Sequence, residues 1–350
     1  MKSRIKPRRA LERFREPPPM LENRRGKLRL DMNEGLTGCS PKVLAALRRL
    51  DAEDVAMYPE KENATARIAP FFGVTARDLV LTNGIDEGLR LVADAFIERG
   101  RSVLLVEPTF PMYRFHAQQR DARIHTLSCG DDMRFPLDDV LRALTRAPSV
   151  FFLANPNNPT GALLDKRTLA RILDAAARTL VVVDEAYFEF SGVTVLPWIR
   201  RRENLVVTRT FSKAAGLAGL RIGCVFAHRE TAKFLKRAQG PFPIGIAPLA
   251  VAGAALKDAV FTRRAAAEIT RGRKLLEGGL RELGVRVFPS AANFVLADFG
   301  ARGEEIIHAL ARRGILIRDQ TASIGRGFAR ITAGTPTQVK RFFRVLARIL

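Results

Sequence analysis

A doubly wound α/β core is predicted for the middle of this chain, followed by a smaller α+β unit. Three observations carry that prediction. Across residues 78–239, short apolar runs rich in Val, Leu and Phe alternate with longer amphipathic segments, the pattern of parallel strands buried beneath helices. The junctions are dense in turn formers, as in Asn155-Pro156-Asn157-Asn158-Pro159. After Pro248 the pattern changes to a long helical stretch and then to short strands.

The core elements follow in order. Strands are predicted at 79–82, 102–107, 123–127, 150–154, 179–184, 205–209 and 222–227, making one seven-stranded, mostly parallel sheet. Intervening segments such as 86–99 and 165–178 place apolar residues at helical spacing and are long enough to be crossover helices, so both faces are covered. In the smaller unit we expect one helical stretch over 250–283, strands at 285–288, 294–297, 315–318 and 329–332, and helices at 303–313 and 336–350. The last helix opens with Thr335-Pro336-Thr337-Gln338, an N-cap, a first-turn proline and a capping-box glutamine. The expected organisation is a basic N-terminal arm (1–27), a larger domain (51–249), and a smaller α+β domain built from 28–50 and 250–350.

With 350 residues and 47% hydrophobic content, the chain can build a sizeable core. Its longest uncharged stretch, 240–256, contains Pro241, Pro243 and Pro248, so it suits a loop entering a buried helix rather than a bilayer span. The first residues lack a signal-peptide apolar core, and Cys39, Cys129 and Cys224 are odd in number and scattered, which points to a reducing cytoplasm. The net charge of +22 raises the question of nucleic acid. Residues 1–29 hold eleven Lys or Arg against three Glu, and the remaining charge is spread along the chain without a nucleic-acid module. We therefore expect small-molecule partners, with neither membrane nor nucleic acid.

The chemistry concentrates around Lys213, in Thr210-Phe211-Ser212-Lys213. Arg221 follows eight residues later, and Asp184-Glu185-Ala186-Tyr187 lies about thirty residues earlier. An amine, a carboxylate, a phenol and a cation are the four functions required by an aldehyde cofactor with a pyridine ring and a phosphate, which points to pyridoxal phosphate. Lys213 follows a strand ending at the carboxyl edge of the sheet, where open α/β folds place ligands. Asp184 ends the apolar run Val181-Val182-Val183, a costly place for an acid without a partner. Asn83-Gly84-Ile85-Asp86 joins a strand to a helix, so the amides of Ile85 and Asp86 sit at a helix N-terminus suited to phosphate.

These motifs, in the order Asn33-Glu34, Tyr58-Pro59, Asn83 to Glu87, Asn155 to Gly161, Asp184 to Tyr187, Thr210 to Lys213, Gly219-Leu220-Arg221 and Arg330-Ile331-Thr332, resemble the fold-type I aminotransferases that use pyridoxal phosphate. Within them the chain looks like the histidinol-phosphate aminotransferase family over roughly residues 28–350. The resemblance implies that Lys213 holds the cofactor aldehyde and moves the substrate Cα proton, and that Asp184 pairs with the protonated ring nitrogen. It also implies that Tyr187 and Asn158 bind the cofactor's phenolic oxygen. Gly84, Ile85, Asp86, Thr210, Ser212 and Arg221 would form a phosphate cup, and Phe110 would stack on the ring. Tyr58 would reach the cofactor phosphate of the other subunit of a homodimer. Arg330 would clamp the substrate carboxylate, Arg318 would either meet its distal phosphate or pair with Asp319, and Asn33 would line the substrate side.

Three departures stand out: Phe110 replaces the family's usual tyrosine, Pro17-Pro18-Pro19-Met20 lacks its arm tyrosine, and Gly35-Leu36 replaces the usual continuation after Asn33-Glu34. With Phe110 the stacking survives and any hydroxyl contact is lost, while the other two departures fall on the substrate side and question the substrate rather than the chemistry. The implied reaction is transamination between glutamate and imidazole acetol phosphate. Aromatic transamination and threonine-phosphate decarboxylation are the alternatives on the same scaffold. His116, His125, His228 and His308 show no metal spacing, and there is no Walker loop, dinucleotide fingerprint or nucleophile elbow.

Overall fold

The computed structural model describes Leu11 and residues 23–350; most of the expected arm, including Pro17 to Met20, lies outside these residues. Twelve strands are described: β1 (Leu28–Leu30), β2 (Leu79–Thr82), β3 (Ser102–Glu107), β4 (Arg123–Ser128), β5 (Val150–Ala154), β6 (Leu180–Asp184), β7 (Leu205–Thr210), β8 (Gly223–Ala227), β9 (Arg286–Val287), β10 (Phe294–Asp298), β11 (Ile315–Asp319) and β12 (Phe328–Thr332). Seven of them form one sheet in the order β2-β8-β7-β6-β5-β3-β4. Only β8 runs against its neighbours, antiparallel to both β7 and β2, so the other six strands share one direction and end at one edge.

Strand residues alternate between two cores, as a period of two requires. Leu104, Phe151, Val181, Val207 and Phe226 pack on one face. Val103, Phe152, Val182, Val206 and Val225 pack on the other. With both faces covered, the central strands are almost wholly apolar, and β5 and β6 are buried at every residue, whereas edge strand β4 keeps polar, exposed positions.

The second sheet has the order β1-β11-β12-β10-β9, and β1 joins it in parallel with β11. Helices Ala259–Glu282 and Pro336–Leu346 supply Leu276, Leu280, Phe342 and Leu346 to its core. Helix Pro41–Leu47, by contrast, places Val43, Ala46 and Leu47 against the core of the larger sheet.

The helical stretch expected over 250–283 is two helices, Ile246–Lys257 and Ala259–Glu282. Asp258 breaks it, with φ −109° and ψ 46°. Its carboxylate accepts from Ser40 Oγ at 2.5 Å and Lys42 Nζ at 3.4 Å, so a distant side-chain tether draws the backbone out of helical register. Among the described residues, no helix is long and apolar enough to cross a membrane.

Candidate active site

The carboxyl ends of β2, β5, β6 and β7 bring most of the expected residues together. β7 ends at Thr210, and Lys213 sits in the tight loop that follows, where Gly216 N donates to Lys213 O at 3.1 Å. This loop is pressed backbone to backbone against residues 33–38. A Cβ on Gly35 would lie 2.6 Å from Lys213 O, and one on Gly216, at φ +71°, would lie 2.2 Å from Gly38 O. Glycine at position 35, unexplained by sequence, is thus what close approach to the lysine loop requires.

Lys213 Nζ donates to Met32 O at 3.1 Å. Burial, reinforced by the charges of Arg330 and Arg221, brings its pKa down to about 8 against the opposing pull of Glu34 and Asp184.

Asp184 is buried at the tip of β6 and is not alone there. Oδ1 accepts from Thr208 Oγ1 at 2.8 Å and from Ala186 N at 3.1 Å, while Oδ2 accepts from Tyr113 Oη at 2.7 Å. Burial raises its pKa, and these donors pull the other way. The adjacent Glu185 serves the scaffold instead. It is buried against Arg209, Thr194 and the amide of Val195, an internal ion pair that ties β6 to β7 and the next loop.

Tyr187 is buried, and its hydroxyl accepts from Asn33 Nδ2 at 3.0 Å. Asn33 takes the left-handed conformation (φ 54°), exchanges hydrogen bonds with the Thr332 hydroxyl through its N and Oδ1, and accepts at its carbonyl from Asn293 Nδ2. One asparagine therefore links the smaller sheet to the phenol at the edge of the larger one. Asn158, expected beside Tyr187, accepts from Arg330 Nη1 at 2.5 Å. Its loop is braced by its neighbours: Asn155 bridges to both backbone groups of Leu164, and Asn157 bridges to Pro108 and Thr160.

Arg330, on β12, is buried with Nη2 donating to Asp31 O at 2.6 Å, and its Nε has no protein partner. Burial lowers its pKa to about 10, so it remains a cation near neutrality. Arg318 lies opposite Arg330 in the β11–β12 register and is exposed. The alternative partner, Asp319, is engaged elsewhere: its carboxylate accepts from Thr321 N and Oγ1.

The expected phosphate cup gathers around Arg221, which is itself left-handed at φ 47°. Its guanidinium donates to Ser212 Oγ at 3.4 Å and Asp86 Oδ2 at 3.2 Å, and Ser212 N donates to Thr210 Oγ1 at 3.1 Å. Gly84 begins helix Gly84–Phe96 at φ +71°, and a Cβ there would lie 2.4 Å from Arg221 Nη2. Gly223 lets this helix start press onto β8, since a Cβ at 223 would meet Ile85 N at 2.9 Å. Phe110 caps helix Pro111–Gln119 and meets Tyr113 edge-on at 5.6 Å. Tyr58 stands apart, 72% exposed and stacked at 4.1 Å on Phe242, itself 60% exposed.

Sequence reasoning missed Tyr113, Thr208 and Asn293, whose roles depend on partners 71, 24 and 260 residues away. The only local signal was a tyrosine one turn after Phe110.

The model of the family "Aminotransferase class I and II" matches residues 25–346. The chain belongs to the class I and II aminotransferases. "Histidinol-phosphate aminotransferase 2" of Methylococcus capsulatus is 37% identical over 335 residues, covering 92% of this chain and 90% of the relative. "Histidinol-phosphate aminotransferase" of Anoxybacillus flavithermus is 34% identical over 330 residues, covering 92% and 88%. Among solved structures, the histidinol-phosphate aminotransferase of Sinorhizobium meliloti in complex with pyridoxal-5'-phosphate superposes with a TM-score of 0.90 at 27% identity, covering 99% of this chain and 97% of that one. The chain has the α/β architecture of a fold-type I aminotransferase, with a mostly parallel seven-stranded sheet.

Proposed function

We propose that this aminotransferase uses pyridoxal phosphate to move an amino group from glutamate to imidazole acetol phosphate, releasing 2-oxoglutarate and forming L-histidinol phosphate. One observation carries the reading: an amine, a buried carboxylate, a phenol and two guanidinium groups converge on one sheet edge. The substrate assignment draws its support from two curated relatives, both named for histidinol phosphate, that match about nine tenths of the chain.

The residues present fit the cofactor. Gly84 lets the Arg221 guanidinium pack directly against the helix start, where a Cβ would lie 2.4 Å from Nη2. The hydroxyl of Tyr187 accepts from Asn33, so its own proton remains available for an oxygen acceptor. Arg330 keeps an unpaired, buried Nε–H. Asp184 would hold the ring nitrogen, Tyr187 and Asn158 the phenolic oxygen, and Arg221 the phosphate, together with Thr210, Ser212 and the amides of Gly84, Ile85 and Asp86. Phe110 would cover the ring. When bound, pyridoxal phosphate supplies the electron sink that stabilises negative charge at the substrate Cα.

The chain's own contribution is placement and proton transfer. Lys213, with a pKa near 8, can exist as a free amine at neutral pH, as both covalent attachment and removal of the Cα proton demand. Arg330, with a planar fork anchored by Asp31 O and Asn158, would orient the carboxylate of glutamate. Arg318, exposed one strand away, would meet the distal phosphate of the other substrate. Asn33 joins Thr332, two residues beyond Arg330 on β12, to Tyr187.

The same reading includes a homodimer. Val55, Met57, Tyr58 and Phe242 are large apolar groups left more than half exposed, a patch suited to a second copy that would receive Tyr58 at its phosphate cup. Three free cysteines, Cys39, Cys129 and Cys224, support a cytoplasmic setting.

A substrate panel on the cofactor-loaded protein tests the assignment. L-Histidinol phosphate should exceed phenylalanine in kcat/KM by at least about tenfold, the discrimination expected when a binding site loses a charged partner. No carbon dioxide should be released from threonine phosphate. Preference for phenylalanine, or decarboxylation, would replace the proposed reaction.

A further inference from the structure

We propose that Tyr113 is a positioning residue that sets the charge and direction of Asp184, and so keeps the cofactor's ring nitrogen protonated. The proposal rests on the reading above, in which Asp184 meets that nitrogen.

The geometry is specific. Tyr113 lies one turn into the helix that follows β3, yet its partner is two strands away on β6. The ring crosses the intervening strand β5 by lying flat on Phe152, with centroids 5.3 Å apart and planes 4° from parallel. Phe110 braces it edge-on. The hydroxyl is thereby delivered to Asp184 Oδ2 at 2.7 Å, with no accessible surface on the tyrosine. Burial and the neighbouring carboxylate hold the phenol well above its ordinary pKa, so it is a neutral donor throughout the working range.

The remaining acceptor capacity of Asp184 points to the cofactor. A carboxylate offers about four acceptor positions. Thr208 and the amide of Ala186 take two on Oδ1, and Tyr113 takes one on Oδ2. The position left open is on Oδ2, so the oxygen that Tyr113 holds is the one that faces the ring nitrogen. A donor on that oxygen stabilises the carboxylate and leaves the shared proton on the ring. Without it, Asp184 becomes more basic, and the proton moves from the ring nitrogen to the acid. Thr208 acts on the other oxygen, where Ala186 N remains as a second donor, so its removal should matter less.

The test uses full-length protein loaded with pyridoxal phosphate labelled with 15N in the ring. Tyr113→Phe keeps the ring stacked on Phe152 and removes only the hydroxyl. The 15N shift should move toward the neutral pyridine value, and kcat should fall about ten- to hundredfold, the loss expected for one charge-assisted hydrogen bond. KM for glutamate should change less than about threefold, because no substrate contact is removed. Thr208→Val should shift the resonance in the same direction by less. A wild-type 15N resonance in Tyr113→Phe, whether or not the variant melts earlier, would reduce the tyrosine to a packing residue and overturn the proposal alone. If the wild-type chain takes up no pyridoxal phosphate, the underlying reading fails and carries the proposal with it.

Discussion

Gly84→Ala is the sharpest probe of the phosphate cup, because the structure separates its two effects. The backbone at 84 has φ +71°, and an alanine held there costs about 1–2 kcal/mol of fold stability with or without cofactor. The added Cβ would also sit 2.4 Å from Arg221 Nη2. That atom ends a long side chain, so the guanidinium moves aside rather than the backbone. Its displacement would remove the proposed charge-assisted contact to the cofactor phosphate, worth about 1.5–3 kcal/mol, which is roughly a ten- to hundredfold larger dissociation constant. Equilibrium dialysis of apo-protein against pyridoxal phosphate measures the second effect, and denaturant melts of the apo-protein measure the first. If the added methyl acts through Arg221, the affinity losses of Gly84→Ala and Arg221→Ala should not add in the double variant. Binding within about twofold of wild type in Gly84→Ala would show that the phosphate does not lie at this helix start.

Further outcomes are expected. The apo-protein should capture cofactor through the neutral amine of Lys213, so with a pKa of about 8 the stopped-flow rate should slow about tenfold from pH 7 to pH 6 and level off above pH 9; a flat profile would contradict this. The lowered lysine pKa also has a stability consequence: the unfolded chain binds the extra proton between about pH 8 and 10.5, so apo-protein stability should rise with pH across that window relative to Lys213→Met, and below pH 8 the variant should be the more stable. Arg330→Lys keeps the charge but loses the fork, and KM for glutamate should rise about ten- to hundredfold in steady-state assays with a smaller change in kcat. Mixing Lys213→Ala with Tyr58→Ala subunits should yield more activity than either variant alone if Tyr58 serves the neighbouring site; mixed subunits no more active than their parents would place Tyr58 outside it.

Much of the fold was legible because it rests on local periodicity. β2, β3 and β5 have the predicted bounds, since three to five consecutive apolar residues between turn formers leave few alternatives. β6 and β8 begin one residue later than expected, where Thr179 and Ile222 are buried without joining the ladder. The break at Asp258 was invisible because its cause, Ser40, is 218 residues away. The site shows the same division. Asp184 ends β6, Lys213 follows the end of β7, and Arg221 stands two residues before the start of antiparallel β8, so strand order alone brings them to one edge. Tyr113 went unread because its partner, Asp184, is 71 residues away, and Asn33 could be placed on the substrate side but not joined to Tyr187. Asn158 could be read beside Tyr187, but nothing local announced that Arg330, from the other sheet, is the side chain that meets it.

The covalent anchor is open to direct chemical mapping. Cofactor-loaded protein can be treated with borohydride, digested, and sequenced by mass spectrometry to find the lysine that carries a reduced pyridoxyl group. The adduct should fall on Lys213 alone and disappear from that peptide when an amino donor is added before the borohydride. An adduct on another lysine, or none at all, would contradict the assignment of this sheet edge as the catalytic site.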